Sequence, residues 1–98
     1  MAAFSLHHSK LLVMTPEQIE RFVQTNSKKT ICACKISFKA RHAFEGIFIT
    51  TPDSLELKKK NFWRIVATSR VEEYLQSKDI NLSRIFNGSE FTRLATNS

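Results

Sequence analysis

The sequence predicts an α+β domain, in which an N-terminal helix precedes a small, strongly bent, barrel-like antiparallel sheet of five strands with a short inserted helix. Three observations predict this fold: a helix-start signal near residue 15, several short segments of alternating hydrophobicity, and an Asn-Gly pair between two such segments near the C-terminus. The chain has 98 residues, of which 42% are hydrophobic, and this is enough for one domain with a single core.

The first helix has a clear start signal. Thr15 can cap the helix, Pro16 suits the first helical position, and Gln18 completes a capping box with Thr15. Hydrophobic residues then recur at helical spacing, at Ile19, Phe22 and Val23. The pattern predicts a helix from residue 16 to about residue 25, and we expect its hydrophobic face to cover one open end of the sheet.

Alternation of hydrophobic and polar residues predicts the first two strands. The first strand covers residues 30–39 and places four side chains on one face, namely Cys32, Cys34, Ile36 and Phe38. The second strand covers residues 44–51, where Gly46 indicates a bulge or a sharp bend.

The next segment combines an ambiguous stretch with a clear strand. In residues 55–61 two leucines alternate with charged residues, and this favours a short strand that enters a basic turn. Residues 62–67 predict a third strand, with Trp63 and Ile65 on one face.

The C-terminal third combines a short helix with a hairpin. A capping-box pattern at residues 69–72, followed by hydrophobic residues at helical spacing, predicts a helix of about two turns that ends at Ser77. Asn87 and Gly88 separate the two alternating parts of residues 81–94. They predict a type I′ β-hairpin, which requires a positive φ at both residues.

Composition and charge limit the classes of function. The net charge of +6 and the pI of about 9.7 favour association with polyanions. No hydrophobic run approaches the roughly 18 residues of a membrane span, so we predict no membrane partner and a cytoplasmic location. Cys32 and Cys34 lie too far apart along a strand for an easy disulfide, which suits reduced thiols.

We interpret residues 1–13 as a flexible leader, residues 14–95 as the globular domain and residues 96–98 as a tail.

A basic segment with aromatic residues is the main candidate for a binding site. It contains Lys58, Lys59, Lys60, Trp63 and Arg64. The lysines can neutralise phosphates, and an exposed tryptophan can stack on a base. A secondary basic group contains Lys35, Lys39 and Arg41. The alternative interpretation is a solvated turn followed by a strand whose aromatic side chains lie in a core or a subunit interface.

The sequence nominates no catalytic or metal-binding residues. Tyr74 and Lys78 have the Tyr-x-x-x-Lys spacing of short-chain dehydrogenases. Such an enzyme needs a Rossmann domain with a glycine-rich turn, and a 98-residue chain with two glycines is too short for one. Cys32 and Cys34 do not form the paired C-x-x-C of a structural zinc site. We therefore predict a protein that is not an enzyme and has neither a cofactor nor a metal.

The C-terminal segment resembles the second motif of the Sm-like proteins, a family that includes the bacterial Sm-like RNA chaperone. The positions of that motif are filled by Phe86, Gly88, Phe91 and Leu94. Residues 36–53, with Gly46 before a hydrophobic run and an acidic turn, loosely resemble the first motif, although no asparagine follows Asp53 and the gap between the motifs is long. The resemblance implies an SH3/Sm-like barrel, RNA binding and assembly into a ring.

These observations favour a small non-enzymatic binding or assembly module whose ligand is RNA or another polyanion. The alternative is a protein–protein interaction domain that forms homo-oligomers by pairing of strand edges, with its aromatic side chains buried at the subunit interface. In the first hypothesis the positive charge binds phosphates, whereas in the second it serves solubility.

Overall fold

Five antiparallel strands form one sheet, and helices connect or cover them. The computed structural model describes residues 13–27 and 33–96. The strands are β1 (Cys34–Phe38), β2 (Phe44–Phe48), β3 (Phe62–Ala67), β4 (Ser83–Asn87) and β5 (Phe91–Thr96). The helices of the described ranges are α1 (Pro16–Ser27), α2 (Ser54–Lys59) and α3 (Val71–Ser77), with 3-10 turns at Thr68–Arg70, Ile80–Leu82 and Gly88–Glu90. The strand order is β4-β3-β2-β1-β5, which confirms the predicted α+β class with an N-terminal helix.

Helix α1 begins with the predicted capping box. The Gln18 backbone N–H donates to Thr15 Oγ1 at 3.1 Å, and the Thr15 N–H donates to Gln18 Oε1 at 2.9 Å. Ile19 is fully buried in the core, and Val23 packs against it. The Met14 backbone N–H also donates to the Phe91 carbonyl at 2.8 Å. The start of α1 is therefore held to β5, and its hydrophobic face covers the core as predicted.

The sheet is strongly bent. The rings of Phe38 on β1 and Phe86 on β4 stack with centroids 5.7 Å apart, and Phe44 on β2 lies 4.8 Å from Phe86. In a flat sheet β1 and β4 would be separated by three strand spacings, or about 14 Å. The bend confirms the predicted curvature, but β4 pairs only with β3 and β5 only with β1. The sheet is therefore not closed into a barrel.

Alternation within the strands places the core inside the bend. Cys34, Ile36 and Phe38 are buried on β1, whereas Lys35 is exposed. The core cluster consists of Ile19, Ile36, Phe38, Trp63, Ile65, Phe86 and Phe91. Val66 is fully buried and lies on the face of β3 opposite to Trp63 and Ile65. The predicted face assignments of β1 and β3 are confirmed.

The predicted type I′ hairpin at Asn87 and Gly88 is wrong. Asn87 has φ −84° and ψ 115°, and Gly88 has no positive φ. The Asn87 side chain accepts a hydrogen bond from the Ser89 N–H at 2.9 Å and so caps a 3-10 turn. This turn carries the chain from one edge strand to the other, because Phe86 and Phe91 both enter the core. Burial of these two rings outweighs the local preference of Asn-Gly for a hairpin.

Helix α2 occupies the segment for which a short strand was expected. Leucine, glutamate and lysine are all good helix formers, and the Leu57 N–H donates to the Asp53 carbonyl at 3.0 Å. The second strand accordingly ends at Phe48 rather than near residue 51.

Two local features that the sequence suggested, a capping box at α3 and a bulge at Gly46, are absent. The capping box at residues 69–72 does not form, since the N-cap of α3 is Arg70 and its side chain makes no capping bond. Gly46 pairs in register with Cys34 and Ala67, without a bulge. Glycine is required there because a Cβ would overlap the Val66 carbonyl of the neighbouring strand.

Some predictions concern residues outside the described ranges. These are the structure of the leader over residues 1–12 and the position of Cys32. Thr96, which the sequence assigned to the tail, is the last residue of β5. No helix in residues 13–27 and 33–96 combines the length and hydrophobicity that crossing a membrane requires.

We predict that Gly88→Ala destabilises the protein by roughly 1–3 kcal/mol, because overpacking has this typical cost. An added Cβ would overlap Asn61 Oδ1 and would lie 2.7 Å from Trp63 Nε1. Urea unfolding followed by Trp63 fluorescence measures the change. Ser69→Ala, at an exposed position away from this turn, is the control and should stay within about 0.5 kcal/mol of wild type. Equal stability of the two variants would contradict this packing role of Gly88.

Candidate polyanion-binding site

Trp63 is part of the hydrophobic core and not of a surface. Its side chain is only 7% exposed, and its ring packs edge-on against Phe48 at 6.2 Å. The indole Nε1 donates to Asn61 Oδ1 at 2.9 Å. Stacking on a base was predicted only for an exposed tryptophan, and the burial of Trp63 does not meet that condition.

Arg64 holds three segments of the chain together. Its Nε and Nη2 donate to the two carboxylate oxygens of Asp53 at 3.2 and 2.8 Å, and Nη1 donates to Ser83 Oγ at 3.1 Å. The side chain is 15% exposed. Because this bidentate pair occupies the guanidinium, Arg64 joins β3 to the turn before α2 and to the start of β4. The prediction that it binds phosphate does not fit this position.

The same pair shifts the titration of Asp53. Hydrogen bonds from Arg64 and, secondarily, from the Thr51 hydroxyl lower the pKa of the Asp53 carboxyl from 3.8 to about 2. The carboxylate thus stays ionised at a lower pH than an unpaired aspartate does.

The three lysines at the C-terminal end of α2, of which the last follows the helix, differ in their surroundings. Lys58 Nζ lies 2.9 Å from Glu20 Oε2, and this ion pair joins α2 to α1. Lys59 Nζ lies 3.5 Å from Glu56 Oε2, with both side chains more than two-thirds exposed, so the contact is weak. Lys60 follows α2 and is exposed. The residues of the predicted basic segment thus have three different environments. Trp63 lies in the core, Lys58 and Arg64 form ion pairs that join segments of the fold, and the other two lysines are solvated.

The secondary basic group is also divided by the fold. Lys35 projects from the outer face of β1, directly opposite Glu45 on β2. Lys39 follows β1 and is exposed. Arg41 lies against the core instead, with its guanidinium carbon 5.0 Å from the Phe38 ring centroid and 5.7 Å from that of Phe86. The structure therefore does not place Lys35 and Arg41 on one face.

Arg84 joins Arg41 at the aromatic rings, and the sequence reasoning missed it. Its guanidinium carbon lies 5.6 Å from the Phe44 centroid and 5.4 Å from the Phe86 centroid. Both arginines thus lie on one ring, in the range of favourable cation–π contacts. The sequence contains one signal that could have identified Arg84. It lies two residues before Phe86, so both side chains lie on the same, core-facing side of the strand.

We call this pair of arginines, with the rings of Phe38, Phe44 and Phe86, the arginine site. It borders a depression of about 170 Å³. The residues that line the depression are Phe38, Arg41, Arg84, Ile85, Phe86, Asn87 and Glu90. The depression is therefore lined by two positively charged side chains, by the negatively charged Glu90 and by aromatic rings.

No acidic side chain neutralises the two arginines. All nine aspartates and glutamates of the chain lie within the described ranges. Four of them form ion pairs with other cations, and none lies within 4.0 Å of either guanidinium. The arginine site therefore keeps a net positive charge, which an anion would complement, although Glu90 also lines the depression.

A second depression lies between α1, α2 and the start of β3. It has a volume of about 290 Å³ and mainly hydrophobic walls. Lys58 and Arg64 line it, and no acidic residue does. Its lining residues are all different from those of the arginine site.

Other candidate chemistry is sparse in the part of the chain that the structure describes. No three histidine, cysteine, aspartate or glutamate side chains lie together there as metal ligands would. Lys78 adopts a left-handed conformation directly after α3, and its amine lies 5.8 Å from the Tyr74 ring centroid.

No protein-family model matches the chain, and neither curated proteins nor solved structures provide a match. The kinship with the Sm-like family therefore stays a prediction. The geometry of the two depressions is the basis for inferring a ligand.

Asp53→Asn should change the acid sensitivity of the fold. A carboxylate whose pKa falls on folding stabilises the native state above its unfolded pKa, and this contribution is lost as the pH falls through the folded value. The stability advantage of wild type over Asp53→Asn should therefore be greatest near neutral pH and should shrink between pH 3.8 and about 2.

Urea midpoints measured across this pH range test the prediction. Glu72→Gln removes an exposed carboxylate of α3 and serves as the control for the loss of one surface charge. An advantage of wild type that is independent of pH would contradict the proposed role of the ionised carboxylate.

Proposed function

We propose that the chain is a non-enzymatic module that binds RNA through the arginine site. The observation that carries this proposal is the placement of Arg41 and Arg84 on one aromatic ring without an acidic partner. Arginine is well suited to phosphate because its planar guanidinium can donate two parallel hydrogen bonds. Packing against the rings limits the freedom of both side chains before a ligand arrives, and this lowers the entropic cost of binding.

The charge of the whole chain supports the same proposal. The net charge is +6, so a polyanion is attracted before it makes contact. Lys39 lies two residues before Arg41 and is exposed, and it adds a third cation near the site. Lys59 and Lys60 contribute to the long-range attraction, whereas Lys58, Trp63 and Arg64 serve the fold.

The resemblance to the Sm-like proteins is compatible with this function. An N-terminal helix followed by a bent, five-stranded antiparallel sheet agrees with the order of elements that the resemblance implies. Gly88, which fills the glycine position of the second motif, is needed for close packing against Asn61 and Trp63. Because a fold does not determine a function, RNA binding rests on the arginine site and not on this resemblance.

Replacing both arginines by alanine should weaken RNA binding more than replacing two solvated lysines. Arg41→Ala/Arg84→Ala and Lys59→Ala/Lys60→Ala remove the same net charge, so the general attraction falls equally. We expect the affinity of the arginine variant to fall roughly tenfold, because the two guanidinium groups that bind phosphate directly are absent. The slope of log affinity against log salt should become shallower by about one for each phosphate that is no longer neutralised.

Fluorescence anisotropy with a labelled RNA, over a series of salt concentrations, measures both quantities. Equal losses of affinity in the two variants would assign the binding to net charge alone. An absence of RNA binding by wild type at low salt would overturn the proposal, and tighter binding of heparin than of RNA would point to another polyanion.

A second candidate function is homo-oligomerisation through the sheet edges. The strands β4 and β5 each pair on one side only, and Ile85 on β4 is 49% exposed. An open edge with an exposed hydrophobic side chain can pair with the edge of another subunit.

Ile85→Lys should convert such an oligomer to monomers, because it places a charge at the paired edge. Leu55→Lys is the matched control, since Leu55 is 69% exposed on α2 and lies away from both edge strands. Sedimentation velocity gives the result. Wild-type protein that sediments as a monomer at high concentration would remove this second candidate.

A further inference from the structure

The depression between α1, α2 and β3 has the features of a small-molecule site, and we call it the hydrophobic cleft. Its volume of about 290 Å³ lies near the lower limit of typical ligand pockets, which measure roughly 300–1,000 Å³. We infer that the hydrophobic cleft binds a small monocarboxylate with an apolar body, whose carboxylate contacts Lys58.

The walls of the hydrophobic cleft favour an apolar body. Val23 lines it from α1, Leu57 from α2, and Phe48 from β2. Phe62 and Trp63 complete the wall on the β3 side. Mainly hydrophobic and aromatic walls with a few polar groups are typical of sites for small organic ligands, which gain about 0.8 kcal/mol for each methylene they bury.

The mouth of the hydrophobic cleft has an uncovered apolar surface. Leu55 lines the cleft and is 69% exposed, the largest exposure among the large hydrophobic side chains of the described residues. A ligand that enters the cleft would remove part of this surface from water. The affinity should therefore rise with the length of the apolar body until the cleft is full.

The charge of the lining selects a monoanion. Two cations, Lys58 and Arg64, line the hydrophobic cleft, and no carboxylate does. Arg64 is already neutralised by the bidentate contact with Asp53. Lys58 is also ion-paired, with Glu20, but through a single contact, so it keeps N–H donors that a ligand can use.

Lys58 can bind a second carboxylate while it keeps its own ion pair. Its ammonium has three N–H donors, of which one is directed to Glu20 Oε2 at 2.9 Å. The Lys58 side chain is 31% exposed, so the remaining donors can be reached from the solvent. The carboxylate of a ligand can thus take a charge-assisted hydrogen bond without a change of the fold.

The turn before α2 forms one wall of the hydrophobic cleft, and hydrogen bonds order this turn without a ligand. The Thr51 N–H donates to Ser54 Oγ at 2.7 Å, and the Ser54 N–H donates to the Thr51 carbonyl at 2.9 Å. Arg64 binds Asp53 within the same turn. Since these contacts hold the wall without a ligand, little conformational entropy is lost on binding.

Titration of the full chain with octanoate tests the inference. Trp63 is the only tryptophan of the chain and lines the hydrophobic cleft, so its fluorescence reports binding directly. We expect a saturable change with octanoate, and about tenfold weaker binding of octanol, which has the same body without the charge. Isothermal titration calorimetry confirms the stoichiometry. No saturable signal with octanoate, or equal affinities for the acid and the alcohol, would overturn the inference.

A pair of adjacent lysines provides the matched variants. Lys58→Met should lower octanoate affinity about tenfold and leave octanol affinity unchanged, because methionine keeps the apolar stem and removes the charge. Lys59→Met changes the net charge equally, but Lys59 does not line the hydrophobic cleft, so wild-type affinity is expected. Equal effects of the two variants would contradict the role of Lys58. Arg41→Ala/Arg84→Ala should bind octanoate normally, so this test is independent of RNA binding.

Discussion

The stacking of Phe38 on Phe86 across the bend of the sheet is the contact on which the rest of the structure depends. It brings β1 and β4 together with ring centroids 5.7 Å apart, although two other strands separate them in the sheet order. The bend encloses the core, which α1 then covers through Ile19. It also lets three residues join β4 to β5: they span at most about 15 Å, whereas the edges of a flat five-stranded sheet lie about 19 Å apart.

The same aromatic rings support the functional surface. Arg41 and Arg84 contact Phe86 from two different segments of the chain, so the bend that buries the ring also brings their charges together. Elsewhere four of the nine acidic residues form ion pairs, among them Asp53 with Arg64 and Glu20 with Lys58. The arginine site therefore keeps excess positive charge, because Glu90, which also lines it, forms no ion pair with either arginine. The hydrophobic cleft lies apart from this surface and shares no lining residue with it.

The candidate site shows which part of a binding surface can be predicted from a sequence. The sequence pattern indicated a basic and aromatic surface and included Arg41 as a secondary residue, but its main candidates were the segment with Lys58, Lys59, Lys60, Trp63 and Arg64. A local pattern of lysines beside aromatic residues does not show whether an aromatic ring is exposed, because strand neighbours decide its burial. It does not show that Arg64 meets Asp53, 11 positions earlier in the chain. Arg84 was missed because Phe44, one of the two rings that it contacts, approaches it only after the sheet bends.

The sequence alone determined the elements whose signals are local. The capping box of Thr15 and Gln18 starts α1, and period-two alternation places Ile36 and Ile65 on the core faces of their strands, because hydrogen bonds and side-chain direction within one segment suffice for both. The tertiary structure decided the rest. Asn87 and Gly88 prefer a hairpin locally, yet burial of Phe86 and Phe91 in a common core sends β4 and β5 to opposite edges of the sheet. The free energy gained from tertiary contacts between distant segments exceeds the local preference of Asn-Gly for a hairpin. Such contacts cannot be read from the residues next to the turn.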